Sequence, residues 1–200
     1  KREWMRRYER APAALNIYMS GDFAVTQGDG DFTELAVWGV SSSGMVYVLD
    51  WWAGQQQSDV WVSILVDMAA RWKPFVFIGE TGQIRRSIEP MLNREMRERQ
   101  QYVACTWLSH EGNKIAHASS MMGLMSSGAV LWPSTPWANR VIDQLCSFTG
   151  EDGRIDDAVD ACSLFARFIH KTWNATEKPK EHAVDFARMP TIGEMMQPRP

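Results

Sequence analysis

The chain has 200 residues, of which 45% are hydrophobic, and its formal net charge is −3. This length and hydrophobic content are enough for one domain with a substantial core, and they exclude disorder over most of the chain. The near balance of acidic and basic residues excludes a globally basic protein, so a polyanion would have to be bound by a local patch or through metal ions.

Hydrophobic periodicity gives the elements in chain order. Strands are predicted at residues 15–23, 32–40 and 45–52, followed by a helix at 58–72, a strand at 75–78, a helix at 85–100, a strand at 102–108, a helix at 114–127, a short extended piece at 129–132, and helices at 135–148 and 156–170. The short connections between the first three strands predict an antiparallel meander. The composition after Lys171 predicts an irregular tail over residues 172–200.

This order of elements is typical of a ribonuclease H-like α/β fold, in which a mixed sheet of five or more strands has helices on both faces. In that topology the first strand is central and the fourth strand lies beside it in parallel. The predicted strands and helices contain most of the ten tryptophans, so we interpret residues such as Trp38, Trp51 and Trp61 as core residues rather than as platforms for base stacking.

The cysteines and the apolar runs narrow the class of protein further. Cys105, Cys146 and Cys162 are odd in number, and none has the spacing of a Cys/His metal site, so we interpret them as reduced core residues of an intracellular protein. No apolar run reaches the ~20 residues that a membrane span needs, and a signal peptide is not evident.

Acidic residues lie at the ends of three distant hydrophobic runs. Asp22 ends the first predicted strand, Glu80 follows the fourth, and Asp156, Asp157 and Asp160 open the last helix. The ribonuclease H-like topology would bring these ends together, and the spacing of three puts Asp157 and Asp160 on one helix face. Neighbouring carboxylates repel one another unless a cation lies between them, and Mg²⁺ prefers oxygen ligands. The pattern predicts a site for divalent metal ions.

Several short motifs also occur in a fixed order. They are Tyr18-Met19-Ser20-Gly21-Asp22, Asp31-Phe32-Thr33 after a Gly/Asp-rich loop, Phe77-Ile78-Gly79-Glu80, Lys114-Ile115-Ala116-His117-Ala118, Gly128-Ala129-Val130 with Pro133, and Ile155-Asp156-Asp157-Ala158-Val159-Asp160-Ala161. With these motifs the chain resembles, from about Trp4 to about His170, the C-terminal nuclease domain of the large terminase subunit of tailed bacteriophages. Two positions differ from the family pattern, because His117 replaces the usual Arg and Ile155 replaces the usual His.

The resemblance implies a metal-dependent DNA endonuclease that cleaves concatemeric double-stranded DNA by two-metal phosphodiester hydrolysis, with little sequence preference. Two Mg²⁺ or Mn²⁺ ions would flank the scissile phosphate about 3.5–4 Å apart. Asp22, Glu80 and Asp157 are the predicted catalytic residues and metal ligands, Asp160 is a further predicted ligand, and Asp22 is expected to bridge both ions. The auxiliary and DNA-contacting candidates are Asp156, Asp31, Lys114, His117, Arg85 and Arg86.

The resemblance also implies partners and a location. A large terminase subunit carries an ATPase domain upstream, but no phosphate-binding G-x-x-x-x-G-K-[ST] loop occurs in this sequence. We therefore expect residues 1–14 to be a linker remnant, residues 15–171 to form the nuclease domain and residues 172–200 to be the tail. The portal protein and the small terminase subunit would be partners, no membrane would be involved, and the protein would act in the cytoplasm of the infected bacterial host.

Both the function and the roles of single residues have alternative interpretations. A ribonuclease H-like junction resolvase or transposase core would use the same carboxylates, and a portal-docking module would have the fold without cutting. An Asp in the first turn of a helix is often a solvated cap, as Asp156 would be, and an Asp in a Gly-rich loop often forms a turn, as Asp31 would. Arg85 and Arg86 alternate with glutamates, which also fits a solvated helix face.

Overall fold

A seven-stranded mixed sheet forms the centre of the domain. The computed structural model describes residues 1–24, 32–109, 114–150 and 157–176. The strands are β1 (Arg6–Tyr8), β2 (Asn16–Asp22), β3 (Thr33–Val40), β4 (Val46–Gly54), β5 (Phe77–Glu80), β6 (Cys105–Leu108) and β7 (Val130–Pro133), in the order β1-β7-β4-β3-β2-β5-β6. Strands β2, β3 and β4 form the predicted antiparallel meander, and β5 runs parallel to β2.

In the described part of the chain, five α-helices cover both faces of the sheet, as predicted. They are α1 (Ser58–Trp72), α2 (Gln83–Arg99), α3 (Lys114–Ser126), α4 (Pro136–Ser147) and α5 (Asp157–Phe168). Helices α1 and α2 pack on one face, while α3, α4 and α5 contribute to the core on the other. The arrangement is the ribonuclease H-like fold class predicted from the order of elements.

Local sequence explains where helix α1 ends and where helix α4 begins. Helix α1 buries a stripe that includes Trp61, Leu65 and Ala69, and it ends where Lys73 adopts a left-handed conformation (φ 50°) just before Pro74. The Thr135 hydroxyl accepts a hydrogen bond from the Ala138 amide at the start of α4, with Pro136 in the first turn. The C-terminus of α1 and the N-terminus of α4 therefore show ordinary helix caps.

The core is rich in aromatic side chains, and its tryptophans are packed as predicted. Trp38, Trp51 and Trp61 are buried, and the Trp38 ring stacks on Phe165 of α5 with a centroid distance of 4.5 Å. All three cysteines are free thiols, and Cys162 is fully buried. No helix in the described part of the chain is both long enough and apolar enough to cross a membrane.

Strand β1 is an element that the periodicity does not predict. It lies within residues 1–14 and pairs in parallel with β7, with Arg6 opposite Leu131 and Tyr8 opposite Pro133. An edge strand of three residues needs only free backbone groups on its neighbour, so it leaves little trace in the apolar pattern. Strands β5 and β6 begin later than predicted, because Phe75 and Tyr102 are exposed and precede the paired residues.

Candidate functional site

The two predicted strand-end carboxylates lie at the same edge of the sheet. Asp22 is the last residue of β2 and Glu80 is the last residue of β5. The parallel register pairs Met19 with Phe77 and Ser20 with Ile78. Each strand continues for two residues beyond this pairing, to Asp22 and to Glu80. Both strands therefore end at the same edge of the sheet, and the convergence of the two carboxylates stays a prediction.

Side-chain alternation places both carboxylates on the face of the sheet that α5 covers. The Ser20 hydroxyl donates to the carbonyl of Ala161 in α5 (2.7 Å), and Ile78 belongs to the core on that face. Residues two positions apart in a strand share a face, so Asp22 follows Ser20 and Glu80 follows Ile78.

Helix α5 brings the third acidic segment to this face. Asp157 is its first residue, is 8% exposed, and accepts a hydrogen bond from the Phe32 amide at 2.9 Å, next to the start of β3. Asp160 lies three residues further and is partly buried. Two carboxylates in the first turn also suit the positive end of the helix dipole. The start of α5 is thus held against the strand that pairs with β2.

An arginine that the sequence did not single out accompanies Glu80. Arg167 of α5 places its Nη1 3.8 Å from Glu80 Oε1, and its Nη2 donates to the carbonyl of Ser109. The guanidinium is only 18% exposed, so solvent screens it less than a surface arginine. Arg167 therefore supplies positive charge next to a predicted metal ligand.

A second ion pair, between Glu34 and Arg140, was also missed. Glu34 of β3 is fully buried and is paired directly with Asp22 across the two strands. Its carboxylate accepts hydrogen bonds from both terminal nitrogens of Arg140 in α4, at 2.8 and 2.9 Å, and from the indole of Trp51. A sequence signal existed, because a charged residue inside an apolar strand requires a buried partner. The partner itself could not be read from the pattern.

Burial raises the pKa of the Cys162 thiol well above its usual value, and the nearby carboxylates Glu34 and Asp160 raise it further. The thiol therefore stays protonated at neutral pH.

The donor chemistry of these carboxylates fits a hard divalent cation. Asp22, Glu80, Asp157 and Asp160 offer only oxygen ligands, which Mg²⁺ and Mn²⁺ prefer. Across the described ranges, however, no three or more Asp, Glu, His or Cys side chains are arranged as a group that could hold one metal ion. The structure thus brings the acidic segments to one end of the sheet, and the complete ligand set stays a prediction.

The structure relates the remaining candidate residues less directly to the acidic residues. Arg85 and Arg86 lie in the first turn of α2, where Arg85 pairs with Glu89 (3.1 Å) and Arg86 is exposed. Together with Thr81 and Gly82, these side chains line a surface cavity of about 490 Å³ beside the end of β5. His117 is partly buried on α3. Asp31, Asp156 and the side chain of Lys114 lie outside the described part of the chain.

Comparisons with known proteins identify the fold. The nuclease of the large terminase from thermophilic phage G20c matches at a TM-score of 0.59 and 16% identity, over 82% of this chain and 93% of that one. The human cytomegalovirus terminase nuclease domain matches at 0.60 and 10%, over 84% and 92%. A large terminase from another thermophilic bacteriophage matches at 0.60 and 14%, over 85% of this chain and 44% of that one.

Other structures of the phage G20c nuclease contain bound magnesium, cobalt or zinc, and one structure of the cytomegalovirus domain was soaked with manganese and contains an inhibitor. No protein-family model and no curated protein matches the sequence. The structural matches cover most of this chain and confirm, at the level of the fold, the resemblance that the motifs indicated. The chain has the α/β fold of the terminase large-subunit nuclease domains.

Proposed function

We propose that the chain is a metal-dependent endonuclease domain that cuts double-stranded DNA during viral DNA packaging. The observation that carries the proposal is the register of β2 and β5, which brings Asp22 and Glu80 to adjacent strand ends on the face covered by α5. Asp157 begins that helix. The fold shared with terminase nuclease domains supports the same function.

The proposed ligands for two Mg²⁺ or Mn²⁺ ions are Asp22, Glu80 and Asp157, with Asp160 as a fourth carboxylate. When bound, the ions would activate a water molecule and stabilise the negative charge that develops on the leaving 3′ oxygen. Structures of the phage G20c nuclease that contain bound magnesium or cobalt support binding of divalent metal ions by this fold. Asp31 and Asp156 remain auxiliary candidates, as does Lys114.

Residues around the carboxylates hold them in place. The Ser20 hydroxyl fixes α5 on β2 through the Ala161 carbonyl, and the Phe32 amide orients the Asp157 carboxylate. Arg167 partly balances the charge of Glu80. Each of these contacts comes from a regular element or its flank, so the carboxylates sit on a rigid support.

DNA would be bound mainly through its phosphates. Arg85 and Arg86 project from the first turn of α2, which follows β5 after a short connection, so they lie near Glu80 along the chain. The positive end of the helix adds to their charge. Contacts to phosphates carry no sequence information, which agrees with a nuclease of low sequence preference. Lys114 and His117 of α3 are further candidates for DNA contacts.

The proposed biological role is cleavage of concatemeric DNA in the cytoplasm of an infected bacterial host. An ATPase domain of the same polypeptide, the portal protein and the small terminase subunit would be its partners. The ATPase domain would supply the energy for translocation, and this domain would supply the cut.

The proposal is tested by Asp22→Asn, with Asp59→Asn as the matched control, because Asp59 is exposed at the start of α1 on the opposite face of the sheet. We expect Mn²⁺-dependent nicking of supercoiled plasmid to disappear in D22N, with an unchanged circular dichroism spectrum, and to persist in D59N. A wild-type chain that is inert with both Mg²⁺ and Mn²⁺ contradicts the proposal and favours a docking module. Preference for four-way junctions over linear duplex favours a resolvase.

A further inference from the structure

The Glu34 carboxylate is hydrogen-bonded by side chains from two other elements of the fold, α4 and β4. It lies on β3 with no exposure to solvent, and it accepts hydrogen bonds at 2.8 and 2.9 Å from the two terminal nitrogens of Arg140 on α4. The indole of Trp51 on β4 donates a third. A buried carboxylate is tolerated only when it is paired and hydrogen-bonded in this way.

This ion pair lies next to the proposed catalytic centre. Glu34 is the direct antiparallel partner of Asp22, and directly paired residues project from the same face of a sheet with Cβ atoms about 4.5–5.5 Å apart. Glu34 is therefore an additional acidic residue at the end of the sheet that holds the proposed ligands.

Arg140 determines whether the Glu34 carboxylate is available to bind a cation. The Arg140 guanidinium binds both oxygens of Glu34, so binding of Glu34 to a cation near Asp22 would compete with this ion pair. It also cancels a negative charge that would otherwise repel Asp22 and attract divalent ions. The Arg140 side chain is 43% exposed, so solvent partly screens its charge.

We infer that Arg140 and Glu34 form a charge-balancing pair that keeps Glu34 out of the ligand set, positions Asp22, and sets the affinity of the acidic site for divalent cations. The inference rests on the proposed function, since it assigns a role toward the same metal ions. Both residues are positioning residues, because neither is expected to contact the ions or the DNA.

The two single substitutions should change metal affinity in opposite directions. Glu34→Gln leaves the guanidinium charge unbalanced near the site and should weaken Mn²⁺ binding, whereas Arg140→Gln leaves a carboxylate unbalanced and should strengthen it. A unit charge at this range changes the affinity for a divalent ion by roughly tenfold, after allowance for solvent screening. The double substitution E34Q/R140Q removes both charges and should return the Kd to within about threefold of wild type.

The measurement is calorimetric titration of the whole chain with Mn²⁺ at fixed ionic strength, with thermal unfolding of each variant as a check on folding. Arg94 and Glu98 are the matched control pair, because they form an exposed ion pair on α2, on the opposite face of the sheet. R94Q and E98Q should each leave the Kd unchanged. If R140Q does not fold, E34Q is compared with E34Q/R140Q, in which loss of the guanidinium should restore affinity.

The outcomes separate this inference from the proposed function. A purely structural pair would lower the unfolding temperature of both single variants and leave the Mn²⁺ affinity of the folded protein unchanged. That result, or shifts of both variants in the same direction, overturns the inference while wild-type nicking preserves the proposed function. A folded wild-type chain that neither binds Mn²⁺ nor nicks DNA overturns both.

Discussion

The Ser20 hydroxyl donates a 2.7 Å hydrogen bond to the carbonyl of Ala161 and accepts one of 2.8 Å from the indole of Trp38. Ser20 lies two residues before Asp22, and Ala161 directly follows Asp160. One buried hydroxyl therefore couples the strand and the helix that carry proposed ligands. The separation of these two acidic segments depends on a polar contact rather than on apolar packing alone.

Ser20→Ala should destabilise the fold and reduce nicking together. The substitution removes the acceptor of the buried Trp38 indole N–H and the additional hydrogen bond to the Ala161 carbonyl, which costs about 1–3 kcal/mol. Urea denaturation measures the free energy of unfolding, and plasmid nicking under conditions where the variant is fully folded measures the effect on the site. Ser119→Ala is the control, because the Ser119 hydroxyl bonds the Ile115 carbonyl on the exposed side of α3. Equal stability losses in the two variants would contradict the assigned role.

Arg86→Gln should weaken DNA binding without affecting the fold. Arg86 is exposed in the first turn of α2, close to the end of β5. If it contacts one phosphate, its loss should reduce the slope of log affinity against log salt by about 0.9. The measurement uses the D22N background with Mn²⁺, so that duplex DNA stays intact during titration.

Arg97→Gln is the control for that experiment. Arg97 is exposed on the same helix about 16 Å further along its axis, since each residue adds about 1.5 Å. Its substitution should leave the salt dependence unchanged. An identical slope in wild type and R86Q would remove the start of α2 from the proposed DNA-binding surface.

Much of the fold could be predicted from the sequence because its elements bury periodic apolar faces. The predicted helix at residues 58–72 coincides with α1 (Ser58–Trp72), whose stripe faces the core. The meander followed from short connections, and the parallel position of β5 followed from the order of elements. Strand β1 could not be predicted, since its three residues pair through the backbone and are largely exposed.

The candidate site was only partly predictable. Asp22 and Glu80 could be placed at neighbouring strand ends from topology alone. The Glu34–Arg140 pair joins residues 106 positions apart, and its recognition requires the strand register and the packing of α4. Arg167 reaches Glu80 only because α5 crosses the sheet toward β6, as its bond to Ser109 shows. Tertiary placement of single side chains leaves no periodic signal.

Phe165→Ala should be among the most damaging core substitutions. The Phe165 ring is fully buried and stacks on Trp38 at 4.5 Å, which packs α5 against the sheet. Removal of a buried phenyl ring costs about 3–5 kcal/mol. The control is Phe75→Ala, because Phe75 is 57% exposed and its loss should cost about 0.5–1 kcal/mol. Chemical denaturation of both variants measures the difference, and comparable losses would contradict the described packing.

Cys105 should make the stability of the domain depend on alkaline pH. Burial raises the pKa of the Cys105 thiol to about 11, with a further increase from Glu89 that Arg85 partly opposes. The folded state therefore keeps this proton between pH 9 and 11, while the unfolded chain loses it from about pH 9 upward. The stabilisation from the neutral thiol is complete below the unfolded pKa and is lost as the pH rises through the folded pKa.

The measurement compares wild type with Cys105→Ala, since both chains share every other titrating group. The difference in unfolding free energy between them should change by about 2–3 kcal/mol between pH 8 and pH 11, with wild type losing the larger share of its stability. Urea denaturation at intervals of half a pH unit follows the change. A difference that stays constant across this range would show that the Cys105 thiol of the folded chain is more accessible to solvent than its raised pKa implies.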